Sequence, residues 1–302
     1  MAFSATDAAF EGFRVVRRNP MALVFWALFY VVMFAAGFAL LGGSFLGLMS
    51  AAEQLEQAGG TPTPEDFMPV LMAYAALIAV IVPLSLIASA VLYAAVARSV
   101  LRPDEKSFGY MRLGMDEVRV LVVSLVLTLL FILLSVVIFS VIGAVAGVAT
   151  AGDMPALWFV VALLTVAAIC LCVWLAVRLS LAIPITMAER RIALFDSFGV
   201  TRGRFWPLLG MALLAVVMSI VVGLLGSLVF MPLQIVAGDL DSLSGLEGEG
   251  MASILQVAWP AIAAWIVINA VTSALQVAVV YAPFSAAYRD IMGQKPDANV
   301  FT

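Results

Sequence analysis

Six long apolar stretches organise the chain, at residues 20–49, 68–97, 120–150, 156–187, 206–236 and 251–288. Charged or Gly/Pro/Asp-rich segments separate each from the next. Crossing a ~30 Å hydrocarbon core takes about 20 helical residues, and each stretch exceeds that. A transmembrane barrel would instead alternate apolar and polar positions over strands of ~10 residues. The pattern therefore predicts an all-α transmembrane fold, a six-helix bundle forming a single transmembrane domain over residues 1–302.

Composition agrees. The chain is 65% hydrophobic and 11% charged, whereas a soluble domain carries roughly a quarter charged residues. The first stretch is read as a span and not as a cleaved signal peptide. Its apolar run is about twice the usual 7–15 residues, and an amphipathic lead precedes it. Cys170 and Cys172 lie inside the fourth stretch at i, i+2, which points them to different sides of a helix. They read as small hydrophobes and not as a redox pair.

Charge sets the expected orientation. Arg14, Arg17 and Arg18 precede the first stretch. Arg98, Arg102, Lys106, Arg112 and Arg119 lie at or between the second and third, and Arg178, Arg190, Arg191, Arg202 and Arg204 between the end of the fourth and the fifth. Arg289 and Lys295 follow the sixth, so all 15 basic residues fall on one side. The opposite loops hold none, but carry Glu53, Glu56, Glu65, Asp66, Asp153, Asp239, Asp241, Glu247 and Glu249. Basic loops are retained in the cytoplasm during insertion, so both termini are expected there. An odd number of spans would scramble the partition.

The stretches also pair into three hairpins with similar entrances, at about 1–98, 99–190 and 191–290, followed by a cytoplasmic tail, 291–302. Phe13/Arg17, Phe108/Arg112 and Phe198/Arg202 share one spacing, and their phenylalanines lie 95 and 90 residues apart. The far ends of the odd stretches carry Gly43-x-x-x-Gly47, Gly143-x-x-x-Gly147 and Gly223-x-x-x-Ser227. Two marks per hairpin in the same order suggest an internal repeat. Small-residue pairs let helices approach closely in lipid, and packing within the bundle is the expected use, ahead of dimerisation. The lead 4–18 places Phe3, Phe10, Phe13 and Val16 on about one helical face, as for a short helix lying in the cytoplasmic interface; 190–204 repeats the design with Ile192, Phe195 and Phe198. Pro83, Pro184, Pro232, Pro260 and Pro283 are expected to kink or unwind their helices, Pro184 freeing the carbonyl of Ser180.

Candidate chemistry is sparse. The chain contains no histidine, which excludes a Ser-His-Asp triad and His-ligated zinc or haem. No glycine-rich phosphate loop, calcium loop or polybasic tract of the nucleic-acid-binding kind occurs. No cofactor, metal or nucleic-acid partner is expected, and no catalytic residues are assigned. Arg178 lies ~33 Å along the fourth stretch, near the cytoplasmic boundary. It reads either as a snorkelling arginine or, with Arg190 and Arg202, as a contact for a lipid phosphate or substrate anion. Asn269, Thr272, Ser273 and Gln276 follow i, i+3, i+4, i+7 and form one polar stripe on the sixth stretch. Such a stripe serves either as interhelical glue or as the lining of a cavity for a polar or amphiphilic ligand.

Two segments carry a family resemblance. RLSLAIPITMAERRIALFDSFGVTRGRFWPLLG, 178–210, resembles a bacterial group related to the membrane domain found beside glycerophosphodiester phosphodiesterases. The pattern is an Arg-Leu, a small-residue-Pro turn, then Ser and an Arg-Phe-Trp entrance to the next span. LRPDEKSFGYMRLGMDEVR, 101–119, looks like a cytoplasmic loop of the same kind of protein. The match covers about a fifth of the chain, and the phosphodiesterase barrel with its His/Glu metal site is absent. The resemblance implies a multi-pass bundle of the bacterial inner membrane. Two functions stay open: a non-enzymatic accessory or lipid-associated bundle with anionic lipids, a protein partner or further copies of itself around it, or a transporter or channel for a small amphiphilic or lipid-like substrate.

Overall fold

The computed structural model describes residues 4–57, 63, 66–105, 107–237 and 251–293. Phe3, Lys106, Lys295, Glu65, Asp239, Asp241, Glu247, Glu249 and the tail beyond Gly293 lie outside them. The described residues are helical: α1 (Ala5–Ala9), α2 (Glu11–Arg18), α3 (Pro20–Gln57), α4 (Met68–Leu101), a 3-10 turn (Ser107–Tyr110), α5 (Met115–Ala151), α6 (Pro155–Leu179), α7 (Ala182–Glu189), α8 (Asp196–Val200), α9 (Phe205–Ala237) and α10 (Met251–Ile291). Six of the helical segments are long and apolar enough to cross a membrane, so the chain has the make-up of a multi-pass membrane protein.

Five of the six expected stretches are continuous helices, Pro83, Pro260 and Pro283 included. The fourth is not. It breaks at Ser180–Leu181 into α6 and α7, because Pro184 has no N–H for the Ser180 carbonyl. Ser197 on α8 repairs the break. Its hydroxyl donates to Arg178 O at 2.6 Å and accepts from Leu181 N at 3.3 Å.

Burial concentrates where odd spans begin and even spans end. One apolar cluster there joins Ala8 and Ala9, Trp26, Leu92 and Val96, Leu181 and Ile185, Leu208 and Met211, and Tyr288. α10 lies at its centre, touching α1, α2, α3, α4, α7 and α9. Its alanines 270, 274, 278, 282 and 286 recur every four residues and are all fully buried. A stripe without side-chain bulk is what lets several helices approach a single one. Toward the far end the packing opens. A Cβ at Gly43, Gly47, Gly143 or Gly147 would meet nothing within 4 Å, so these pairs do not pack helices within the chain. Of the three expected pairs only the third shows a close approach, at Gly223 against Gln276, with Gly226 against Thr272 beside it.

The lead forms two short helices that give one face to the bundle. α1 and α2 pack on α9 and α10 through Ala8, Ala9, Gly12 and Val15, whereas Phe10 is half exposed. A Cβ at Gly12 would sit 2.5 Å from both Ala278 O and Val279 Cα. Small residues win this face because backbone contact with α10 excludes aromatic rings. Glu11, 2% exposed, is held by Arg14, Arg18 and Arg289 at 3.3–3.6 Å. Arg14 also reaches Asp7 at 2.8 Å, which strengthens its hold on its proton. On the far side, Thr63 donates its N–H and hydroxyl to Asp66 (2.8 and 2.7 Å), keeping that carboxyl below the usual carboxylate range.

Candidate functional site

The arginines nearest the packed core brace the fold. Arg98 is 2% exposed on α4; it donates to Tyr110 O and to Glu117 Oε1, the latter at 2.6 Å. Glu117 in turn accepts the Gly114 N–H at 3.0 Å, capping α5. The turn that presents the Tyr110 carbonyl is unusual, with positive φ at Phe108, Gly109 and Tyr110. Gly109 is required there, since a Cβ would fall 2.8 Å from that of Phe25, and its carbonyl accepts Trp26 Nε1 at 2.7 Å. Arg102 joins Asp116 (3.1 Å) to Met187 O (2.5 Å), tying α4 to α5 and α7.

Arg178 is held differently, by neutral acceptors alone, and its buried Nε has no partner among the described residues. It donates to Phe198 O (3.2 Å) and Thr201 Oγ1 (3.3 Å), and its Cζ lies 5.7 Å from the Trp174 ring centroid. It braces α6 against α8 and is not displayed to lipid as a free cation. Arg190 and Arg202 are exposed and make no ion pair among the described residues. Beside them Ile192, Phe195 and Trp206 are exposed as well.

The polar stripe of α10 turns mainly toward α9. Gln276 Nε2 donates to Ser219 O at 3.1 Å, Asn269 Nδ2 donates to Trp265 O of its own helix at 3.0 Å, and Thr272 packs on Gly226. Ser273 is half-buried. Of the four, Thr272 borders a cavity, an apolar one of about 580 Å³ between α9 and α10 that Phe10 and Phe13 also line. Interhelical glue is the use the Gln276 hydrogen bond supports, whereas that of Asn269 stays within α10.

A larger cavity lies on the opposite flank of α10. It holds about 920 Å³ between α4, α5, the α6–α7 break and α10. α5 supplies Ser124, Thr128, Phe131, Ser135 and Phe139, spaced i, i+4, i+7, i+11, i+15, which is one helical face. Ser180 and Pro184 enter from the broken helix and Ser285 from α10. The unwound step thus forms part of the cavity wall, with its Arg178 O and Leu181 N taken by Ser197. Ser180 and Ser89 return their hydroxyls to their own helices, to Val177 O (2.8 Å) and Leu86 O (3.0 Å). Ser124 does not. It is 7% exposed, and its fully enclosed Oγ has no hydrogen-bond partner among the described residues. A buried hydroxyl left so costs about 1–3 kcal/mol.

Tyr93 and Tyr281 close one wall, their hydroxyls 2.6 Å apart and ring centroids 3.9 Å apart. Behind them a second cavity of about 750 Å³ lies between α3, α4 and α10, and shares Ser89 and Tyr93 with the first. Among the described residues no group of three or more His, Cys, Asp or Glu is placed to hold a metal, and Cys170 and Cys172 are free thiols. The α5 face escaped sequence reading because hydroxyls at i, i+4, i+11 are spaced by phenylalanines; its period was the available signal. Compared with protein families, curated proteins and solved structures, the chain matches none.

Proposed function

We propose that this is a non-enzymatic, lipid-associated protein of the bacterial inner membrane that holds a membrane amphiphile in the cavity between α4, α5, α6–α7 and α10. One observation carries this: a ligand-sized, mainly apolar cavity within the spanning helices is lined by a few hydroxyl residues, Ser124, Thr128, Ser135 and Ser285 among them. Cavities of 300–1,000 Å³ with a few placed polar groups are the usual form of small-molecule sites. The non-enzymatic reading rests on the lining, which carries hydroxyls but no ionisable acid–base pair beyond the two tyrosines. Both termini face the cytoplasm in this reading, with α8 and the segment 190–204 resting in the headgroup layer. There Arg190 and Arg202 meet anionic lipids, each such residue contributing about 1 kcal/mol near the surface. The likeness of 178–210 to the membrane domain beside glycerophosphodiester phosphodiesterases supports the bacterial assignment.

Native mass spectrometry tests the cavity. Protein extracted in mild detergent is expected to retain one tightly held amphiphile, and filling the cavity with the double substitution Leu127→Trp, Ser135→Trp is expected to displace it while the protein stays folded. Wild-type protein free of bound amphiphile would sink the reading.

A second reading, transport of a small amphiphile, is favoured by the shared wall of the two cavities. Parting Tyr93 from Tyr281 would join them into one path around α4.

A further inference from the structure

Resting on the cavity reading above, we infer that its ligand is an uncharged amphiphile, an alkyl or prenyl chain ending in a hydroxyl or ester carbonyl, and not an anionic phospholipid or fatty acid. Among the described residues the lining contains no charged side chain. The arginines on its framing helices are not in the lining and are engaged elsewhere, Arg98 by Glu117 and Tyr110 O, Arg102 by Asp116 and Met187 O, Arg178 by Phe198 O and Thr201. An ionised headgroup inside would lose its water and gain no counter-ion, which is the costliest arrangement open to it. Hydroxyls are the converse case, since each can donate to a carbonyl or accept from a ligand hydroxyl.

The polar groups are distributed to match such a molecule. Ser124, Thr128, Ser180 and Ser285 gather near the packed end. From there the α5 wall continues through Phe131, Ile132, Val136 and Phe139 to Ser140. The distance from Ser124 to Ser140 along the helix is ~24 Å, most of a ~30 Å hydrocarbon core. A small polar group at Ser124 with its chain along α5 fills both halves.

Photo-crosslinking of the full-length protein in detergent tests this, with a diazirine-tailed monoacylglycerol as probe and labelled peptides mapped by mass spectrometry. Labelling of 124–140 is expected, with excess 1-oleoylglycerol competing at least tenfold better than oleate at pH 9 or dioleoylphosphatidylglycerol. Ser124→Ala is expected to weaken competition by 1-oleoylglycerol about fivefold, the size of one hydrogen bond. Equal competition by the anionic lipids would overturn the uncharged class while leaving the cavity reading intact. Unchanged competition in Ser124→Ala would overturn the placement of the polar group. Absence of labelling on 124–140 would overturn this inference together with the cavity reading.

Discussion

At the scale of single residues, the bundle uses arginine chiefly as a fastener. The planar fork of Arg98 reaches a carbonyl and a carboxylate at once, from a side chain that is 2% exposed. Removing it would leave Glu117 buried without a counter-charge. Arg98→Ala is expected to destabilise by about 3–5 kcal/mol, seen as a large drop in apparent Tm in detergent. Arg98→Lys is expected to recover less than half of that, because an ammonium cannot reproduce the fork. Equal stability of Arg98→Ala and wild type would show that the pair carries no weight. Arg178 is held without a carboxylate among the described residues. Its depth near a membrane boundary was readable from its position. Its partners, Phe198 O and Thr201, come from a helix twenty residues away, and no local spacing announces them.

At the scale of elements, contact follows the residues that leave room for backbone. Gly12 on α2 and the alanine stripe of α10 meet at the closest approach in the lead, whereas Gly43 on α3 stands in the open. Gly12→Leu is therefore expected to lower apparent Tm sharply, by overpacking worth about 1–3 kcal/mol or more. Gly43→Leu is expected to stay within about 0.5 kcal/mol of wild type. The reverse order in a thermal melt would contradict the packing. The six spans were legible to within a few residues at most ends, because sustained hydropathy is a property of each segment alone. The break after Leu179 was half legible: Pro184 marks it, but the Ser197 hydroxyl that mends it does not. Amphipathic spacing pointed to the phenylalanine face of the lead and was silent on the Ala8–Ala9–Gly12 face that packs on α9 and α10, because alanine and glycine carry little such signal. The cavity stayed hidden for a related reason. Whether a serine returns its hydroxyl to its own helix, as Ser180 does, or keeps it, as Ser124 does, depends on neighbours that sequence spacing does not supply.

At the scale of the whole molecule, the packed end collects the starts of α3, α5 and α9 and the ends of α4, α7 and α10, together with all the described arginines. The orientation proposed for this end is cytoplasmic. A fluorescent-protein fusion after residue 302 is expected to fluoresce, and alkaline phosphatase fused there to be inactive; the opposite pattern would invert the topology.

The clasp between Glu11 and Arg289 joins the first turn of α2 to the last turn of α10, 278 residues apart in the chain. A ribosome delivers these two residues in that order. Glu11 therefore waits through the synthesis of every span, with only Arg14 and Arg18 beside it and the alanine stripe that will cover Gly12 not yet made. Closure of so long a loop is the slow kind of folding step. The contact of Gly12 with α10 therefore cannot form until the last span has been made, so the first helices of the chain are completed by the last.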